Sequence, residues 1–175
     1  LLYYMDKGMV LHLGKRYQDS NQFLEKAKTT AEELWTESIS ANALAFATTD
    51  NTIPYQGEDF EKVLIHFVSA LNYIGLGEYE SARIEARQVT SKLELYNQKY
   101  EEAEPDEEGK KQTNAYRDDA FARWLSGKLA ETENDAAAYN DAWIDYKKAL
   151  AVYGEDYKRY KTTTPKFLVE DALRA

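Results

Sequence analysis

Apolar residues recur at steps of three and four along most of the chain, which is the spacing of amphipathic helices. The pattern predicts helix pairs near residues 1–34, 58–103 and 117–153, and a C-terminal helix from residue 165. Two further segments lie between the first and second pairs. They are a short alanine-rich helix at 39–47 and an ordered connector at 52–57, which holds turn formers and Pro54.

The helix that begins at Tyr79 is expected to be the longest in the chain. Its small and large apolar residues alternate steps of four and three without a break, as in a coiled-coil seam. The seam residues are Ala82, Ala86, Val89, Leu93, Tyr96, Tyr100 and Ala103. We therefore expect Tyr96 and Tyr100 to be substantially buried. The charged stretch 105–111 that follows is interpreted as a mobile loop.

Large and small residues in these patterns fall at the spacing of tetratricopeptide helix pairs. Around the Gly14 turn the matching positions are Tyr4, Gly8, Leu11, Tyr17, Ser20, Leu24 and Ala27. The pairs begin near residues 1, 63 and 120, which is wider than the period of about 34 residues for contiguous repeats. The sequence therefore predicts one all-α domain over 1–175. We expect a compact α-solenoid of tetratricopeptide-like hairpins with inserted helices and the ordered connector.

Composition excludes several classes of partner. The formal net charge of -9 argues against nucleic acid, because binding to phosphates rests on clustered lysine and arginine. The chain has no cysteine, which removes disulfides and thiolate metal sites. No apolar run approaches the roughly 18 residues that a membrane-spanning helix needs.

Several stretches of the chain resemble a family of uncharacterised bacterial lipoproteins with a tetratricopeptide-like domain. The stretches are 4–9, 38–40, 50–61, 82–87 and 119–127, of which Pro54-Tyr55-Gln56-Gly57-Glu58-Asp59-Phe60-Glu61 is the specific one. The resemblance implies a bacterial periplasmic or outer-membrane location, with an N-terminal lipid anchor preceding this sequence. It also implies association with other envelope proteins or lipoproteins. It carries over no catalytic residue.

Four residues are the candidates for chemistry. His66 lies at a large packing position, which favours a buried structural role, whereas His12 is equally compatible with binding and with structure. Glu58 and Asp59 open a helix, so one of them is expected to cap it. With no cysteine and no paired histidines, neither a metal nor a cofactor is predicted.

Arg83 and Arg87 lie four residues apart and share one helix face. They could bind a carboxylate of a partner or reach Glu58 or Asp59. We favour the second, since it would tie the connector to the helices.

The positions that line the inner face of such hairpins are mostly apolar here. They are Met5, Met9, His12, Phe67, Leu71, Ile74, Trp124 and Lys128. Either the protein fills this groove with its own chain, which we favour, or the groove binds an apolar ligand.

These observations favour a non-enzymatic protein-interaction scaffold of the cell envelope. One alternative is a small-molecule or lipid-binding protein that uses the groove, and another is a carboxylate-dependent hydrolase. The predicted binding residues are Met9, His12, Tyr55, Glu58, Asp59 and Trp124. Met9, His12, Tyr55 and Trp124 are expected to anchor the partner.

Overall fold

The structure, a computed structural model, describes residues 1–41, 55–102, 109 and 114–175, and the side chains of all of these except 36–41. Within these residues the chain is all-α, with seven α-helices and no strand. The helices are α1 (Leu2–Leu13), α2 (Tyr17–Ala41), α3 (Asp59–Leu76), α4 (Tyr79–Glu102), α5 (Ala120–Ala130), α6 (Ala136–Gly154) and α7 (Lys166–Arg174). Short 3-10 turns, Glu131–Glu133 and Asp156–Tyr160, follow α5 and α6.

The helices pack as antiparallel hairpins within two compact units. In the first unit, Leu1–Gly77, α2 packs against both α1 and α3. In the second unit, Glu78–Ala175, α5 packs against α4 and α6, and α6 packs against α7. The two helices predicted at 58–103 belong to different units. Their pairing, like the single domain expected over 1–175, stays a prediction.

Helix α2 is longer than the sequence pattern indicated, and over the described residues its 25 residues exceed the 24 of α4, which was expected to be the longest helix. The expected helix ended at residue 34 and a separate one began at 39, but α2 continues without a break to Ala41. Residues 35–38 contain neither glycine nor proline, so nothing in the backbone forces an end there. The remainder of the predicted short helix, 42–47, lies outside the described residues, as does most of the charged loop at 105–111.

Small residues let α1 and α2 approach closely in the first unit. A Cβ atom on Gly8 would lie 2.5 Å from Leu24 Cδ2, and the Ser20 hydroxyl donates a hydrogen bond to the Gly8 carbonyl at 2.7 Å. Around this contact Leu24, Ala27, Ile65 and Val68 form a buried cluster, with Leu1, Tyr4 and Met5 packed against it.

The turn after α3 follows an ordinary capping rule, whereas the start of α7 differs from the expected one. Gly77 ends α3 with φ 77°, the left-handed conformation that glycine adopts without strain. At α7, the helix was expected to begin at residue 165. Instead Pro165 is the N-cap, because its ψ of 139° keeps it extended, and the helix begins at Lys166.

The second unit is built around Tyr146, which is fully buried on α6. It belongs to a cluster that also contains Ala120, Ala130, Ala142, Ala149, Val152 and, from α7, Leu168. Helix α4 buries its predicted seam from Ala82 to Tyr96, while Tyr100 is half-buried. Ala103, the last seam residue, lies outside the described residues.

Gly127 on α5 is expected to be essential for this packing. A Cβ atom there would lie 2.5 Å from Cε1 of the buried Tyr146 ring, so Gly127→Ala overpacks the contact. We expect the free energy of unfolding to fall by about 1–2 kcal/mol, despite the higher helix propensity of alanine. Urea unfolding followed by circular dichroism measures this change.

Gly154→Ala is the matched control, because a Cβ atom at Gly154 meets nothing within 4 Å. Its stability is expected to be unchanged or higher by up to about 1 kcal/mol. Equal urea midpoints for the two variants would contradict the packing of Tyr146 on Gly127.

Candidate interaction surfaces

The six predicted binding residues divide between the two units. Five lie in the first unit: Met9 and His12 on α1, Tyr55 and Glu58 before α3, and Asp59 at its first position. Trp124 lies on α5 in the second unit. The structure therefore supports two separate surfaces, and a single site made from all six residues stays a prediction.

A buried amide fixes the orientation of His12. The Asn72 Nδ2 group donates to Ser20 Oγ and to Asn21 Oδ1, each at 2.8 Å. Asn72 Oδ1 then remains to accept from His12 Nδ1 at 2.7 Å. With the Asn72 amide assigned from these partners, the imidazole carries its proton on Nδ1, and Nε2 takes no part in the network.

Asn72 is fully buried and was not predicted from the sequence. Its one signal is a polar side chain inside the apolar run of α3, between Leu71 and Tyr73. A buried amide of this kind is retained only when its hydrogen bonds are made. His12 itself is half-buried and its ring lies 5.9 Å from the ring of Tyr17. His66, by contrast, is buried within α3, as expected.

The side of α1 that carries Met9 is apolar and exposed. Met9 is 40% exposed, and four other large apolar side chains of this helix are more exposed than Met9: Leu2 47%, Tyr3 65%, Val10 63% and Leu13 74%. Such a concentration on one helix is unusual for a surface that contacts only water. The Met9 side chain lies next to the oriented His12 imidazole on the helix surface, because His12 follows Met9 by three residues.

The start of α3 explains Tyr55 and Glu58. One carboxylate oxygen of Glu61 accepts from the Tyr55 hydroxyl at 2.5 Å and from the Glu58 backbone N–H at 2.8 Å. The hydrogen bond to Glu61 raises the pKa of Tyr55. Glu58 occupies the N-cap position and Asp59 pairs with Lys62 at 3.4 Å. The expectation that one of these two acids caps the helix is thus confirmed for Glu58.

Tyr55 is 46% exposed, so one part of its ring remains accessible while its hydroxyl is held. Residues 55–57 of the predicted connector have neither helix nor strand, and 52–54 lie outside the described residues. The order of the whole connector, residues 52–57, stays a prediction.

In the second unit, Trp124 is covered by α7. Its Nε1 donates to Asp171 Oδ2 at 2.7 Å, and its ring lies 5.1 Å from Phe167 and 5.3 Å from Phe121. The chain thus fills the inner face of this unit with its own C-terminal helix. Trp124 as a partner anchor stays a prediction.

Two carboxylates, Glu131 and Asp171, organise the contacts around α7. Glu131 accepts from the Tyr146 hydroxyl at 2.8 Å, from Lys128 at 2.9 Å and from Arg174 at 2.9 Å. Asp171 accepts from Lys128 at 3.2 Å and from Arg174 at 2.5 Å. No signal in the sequence indicated this cluster, because its members come from four separate elements.

Both carboxylates are held in the charged form. Burial raises the pKa of Glu131, but the hydrogen bonds from Lys128 and Tyr146 outweigh it, and the pKa is lowered overall. In the same way, burial raises the pKa of Asp171, but the hydrogen bonds from Trp124 and Arg174 outweigh burial, and the pKa is lowered overall. Burial also raises the pKa of Tyr146. The cluster is therefore ionic and fully formed at neutral pH.

The arginine pair of α4 has partners other than those expected. Arg83 donates to Asp141 on α6 at 2.7 Å and also binds Glu133, and Arg87 reaches the same oxygen of Asp141 at 2.9 Å. The favoured tie to Glu58 or Asp59 is therefore replaced by a tie within the second unit. The shared face was predicted correctly, whereas spacing within one helix says nothing about which helix lies opposite.

Comparison of the chain with protein-family models, with curated proteins and with solved structures finds no match in any of the three. Across the described ranges, no group of three or more histidine and acidic side chains is placed to hold a metal ion. In the same part of the chain, no helix is long and apolar enough to cross a membrane.

Removing the buried amide is expected to destabilise the first unit. Asn72→Ala leaves polar atoms of His12, Asn21 and Ser20 without their partner, so the free energy of unfolding should fall by about 1–3 kcal/mol. Gln22→Ala, at an exposed position of α2, should change it by less than about 0.5 kcal/mol. Denaturant unfolding compares the two, and equal effects would remove the structural role assigned to Asn72.

The ion cluster predicts a dependence of stability on pH. Because the folded pKa values of Glu131 and Asp171 are lowered, their contribution is fully present above the ordinary values of 4.5 and 3.8. It is lost as pH falls through the lowered values. Thermal unfolding between about pH 7 and about pH 3 should show this loss.

Glu131→Gln is the control for that experiment. The variant should be less stable at neutral pH and should lose less stability on acidification, because one of the two titrating groups is gone. An unchanged acid dependence in the variant would contradict the assignment.

Proposed function

We propose that this protein is a non-enzymatic protein-interaction module of the bacterial cell envelope, built on tetratricopeptide-like helical hairpins. The observation that carries the proposal is the exposed apolar side of α1, with Met9 40% and Leu13 74% exposed, beside the imidazole of His12. A partner that covers this side would remove large apolar area from water and would find one polar group in a fixed orientation.

The placement of the acidic residues favours binding over catalysis. A general acid at neutral pH needs a raised carboxyl pKa, whereas the pKa values of Glu131 and Asp171 are lowered. Burial raises the pKa of Asp145 on α6, but this carboxyl lies against Ser126 of α5 within the packed second unit. Glu58 caps α3 and Asp59 pairs with Lys62, so both candidate hydrolase residues already have structural roles. The carboxylate-dependent hydrolase is accordingly the weaker proposal.

The lipid-binding alternative is also the weaker one. It needs an open apolar groove, and the inner face of the second unit is covered by Leu168 and Phe167 of α7. The charged groups of Glu131 and Asp171 lie at the edge of this face, and an acyl chain does not favour contact with charges.

The envelope location and the partner class rest on the resemblance in the stretch around Tyr55-Gln56-Gly57-Glu58-Asp59. We propose that the full-length protein is held at the periplasmic face or the outer membrane by an N-terminal lipid. Its partners would be other envelope proteins or lipoproteins.

Crosslinking in the native envelope tests this proposal. A photo-reactive residue in place of Val10 should crosslink the full-length protein to another protein, since this side chain is 63% exposed on α1. The same residue in place of Leu95, which is 46% exposed on α4, is the matched control. Crosslinks to lipid alone, or equal protein crosslinks from both positions, would contradict the proposal.

Once that partner is purified, Met9→Ala and Tyr55→Ala should each weaken its binding by about 1–3 kcal/mol. Both side chains are at least 40% exposed, so neither change removes core packing. Leu95→Ala serves as the control. Calorimetric titration measures the affinities, and binding that is unchanged in both variants would move the site away from this surface.

A further inference from the structure

The inner face of the second unit holds α7 through a small number of directed contacts. Trp124 Nε1 and Lys128 Nζ, both from α5, converge on the carboxylate of Asp171. Glu131, at the end of α5, accepts from Arg174. Trp124 and Lys128 are the two residues of this unit that the sequence pattern placed on the inner face.

Helix α7 buries little of its own surface against the second unit. Leu168 is its one fully buried residue, at 1% exposure, while Phe167, Val169 and Leu173 are 47%, 40% and 83% exposed. An exposed segment, 161–164, precedes the helix. Such a short helix has few buried apolar contacts. Elements of this kind detach from the rest of a protein by local unfolding more readily than the core helices do.

Two of the groups that bind α7, Lys128 and Glu131, are also held by contacts that do not involve α7. Tyr146 is buried within α6 and its hydroxyl holds Glu131, while Lys128 contacts Glu131 within the same turn of chain at 2.9 Å. When α7 leaves, the ammonium group of Lys128 and the carboxylate of Glu131 thus keep their contacts with each other and with Tyr146, and the Trp124 ring keeps its contact with Phe121 on α5. These groups can receive any helix of the same chemistry.

That chemistry can be read from α7. The residues that make its directed and deepest contacts are Leu168, Asp171 and Arg174, which lie three residues apart on one helical face, and Ala172 and Ala175 also pack against the core cluster. Phe167, next to the leucine, covers Trp124. A ligand helix would therefore carry an aromatic–leucine pair, an acidic residue three positions after the leucine, and a basic residue three positions further on.

We propose that this face of α5 and α6 is a docking site for such an amphipathic helix of a partner protein, and that α7 is its intramolecular occupant, which the partner displaces. This inference deepens the proposed function and rests on it. It assigns the second unit a recognition surface of its own, separate from the apolar side of α1.

The test uses the full chain and a labelled peptide with the sequence of residues 164–175. Asp171→Asn in the chain weakens the hold on its own α7, so this variant should bind the peptide about tenfold more tightly than the wild-type chain does. A peptide in which the same aspartate is asparagine should bind about tenfold more weakly than the original peptide. Fluorescence anisotropy measures both ratios.

Lys128→Ala, combined with Asp171→Asn in the chain, is the control for the anchor. It should reduce the preference for the acidic peptide, because one of its two donors is missing. Circular dichroism checks that both variants keep the helical content of the wild-type chain. Absence of peptide binding to a folded Asp171→Asn chain, or a preference that is unchanged by Lys128→Ala, would overturn the proposal.

Opening of α7 can be measured separately, because the chain contains no cysteine. A Leu168→Cys variant should react with a thiol reagent more slowly than Leu173→Cys, whose site is 83% exposed, and faster than Leu129→Cys, whose site in α5 is 5% exposed. Adding Asp171→Asn should accelerate the reaction at position 168 alone. A rate at 168 no faster than at 129 would show that α7 does not open, and would overturn the proposal.

Two further outcomes separate this inference from the proposed function. The first is exchange of α7 between two copies of the chain, which would appear as a dimer fraction that rises with protein concentration. The occupant of the docking site would then be a second copy and not a partner protein, and the inference would be overturned. Failure of the peptide experiment leaves the Val10 crosslinking result untouched, and failure of that crosslinking leaves the peptide affinities untouched.

Discussion

The second unit depends on the contact between Tyr146 and Gly127. The absence of a side chain on Gly127 lets the aromatic ring lie against α5, and the ring in turn fills the centre of the apolar cluster. Its hydroxyl reaches Glu131 at the edge of that cluster, at 2.8 Å. One side chain thus joins the apolar core to the ionic contacts that hold α7. A change in the packing of the ring would be transmitted directly to the surface.

The first unit uses a buried amide in a comparable way. Asn72 is fully buried between α3 and α2, where its Nδ2 group meets Ser20 and Asn21, and it fixes His12 on α1 at the surface. In both units a polar group rooted in the core determines the orientation of a more accessible side chain. Preorganisation of this kind lowers the entropy lost on binding, because the surface group is already held in one rotamer.

The sequence was most informative about local structure. The acidic cap of α3, the buried seam through Tyr96 and the burial of His66 all follow from residue type and spacing along one helix. Such features depend on few neighbours, and their physics is contained in a short window of sequence.

The features that the sequence did not reveal are contacts between helices. The partners of Arg83, the seat of α7 and the Glu131 cluster each require knowing which helix lies opposite, and the spacing within a helix defines only its faces. The end of α2 was misplaced for a related reason. A change in apolar pattern near residue 35 was interpreted as a break, although no residue there interrupts the backbone.

The intramolecular position of α7 sets a condition on any partner of the second unit. A helix tethered by a few residues competes at an effective concentration on the order of millimolar, so a partner must offer more than a copy of the same contacts. The limited burial of α7 indicates how a partner helix can gain additional affinity. Leu173 and Val169 are exposed on α7, and a longer partner helix could bury apolar side chains at these positions against further chain of its own. The ionic anchor would then select the register, while apolar area beyond it would supply the affinity that displaces α7.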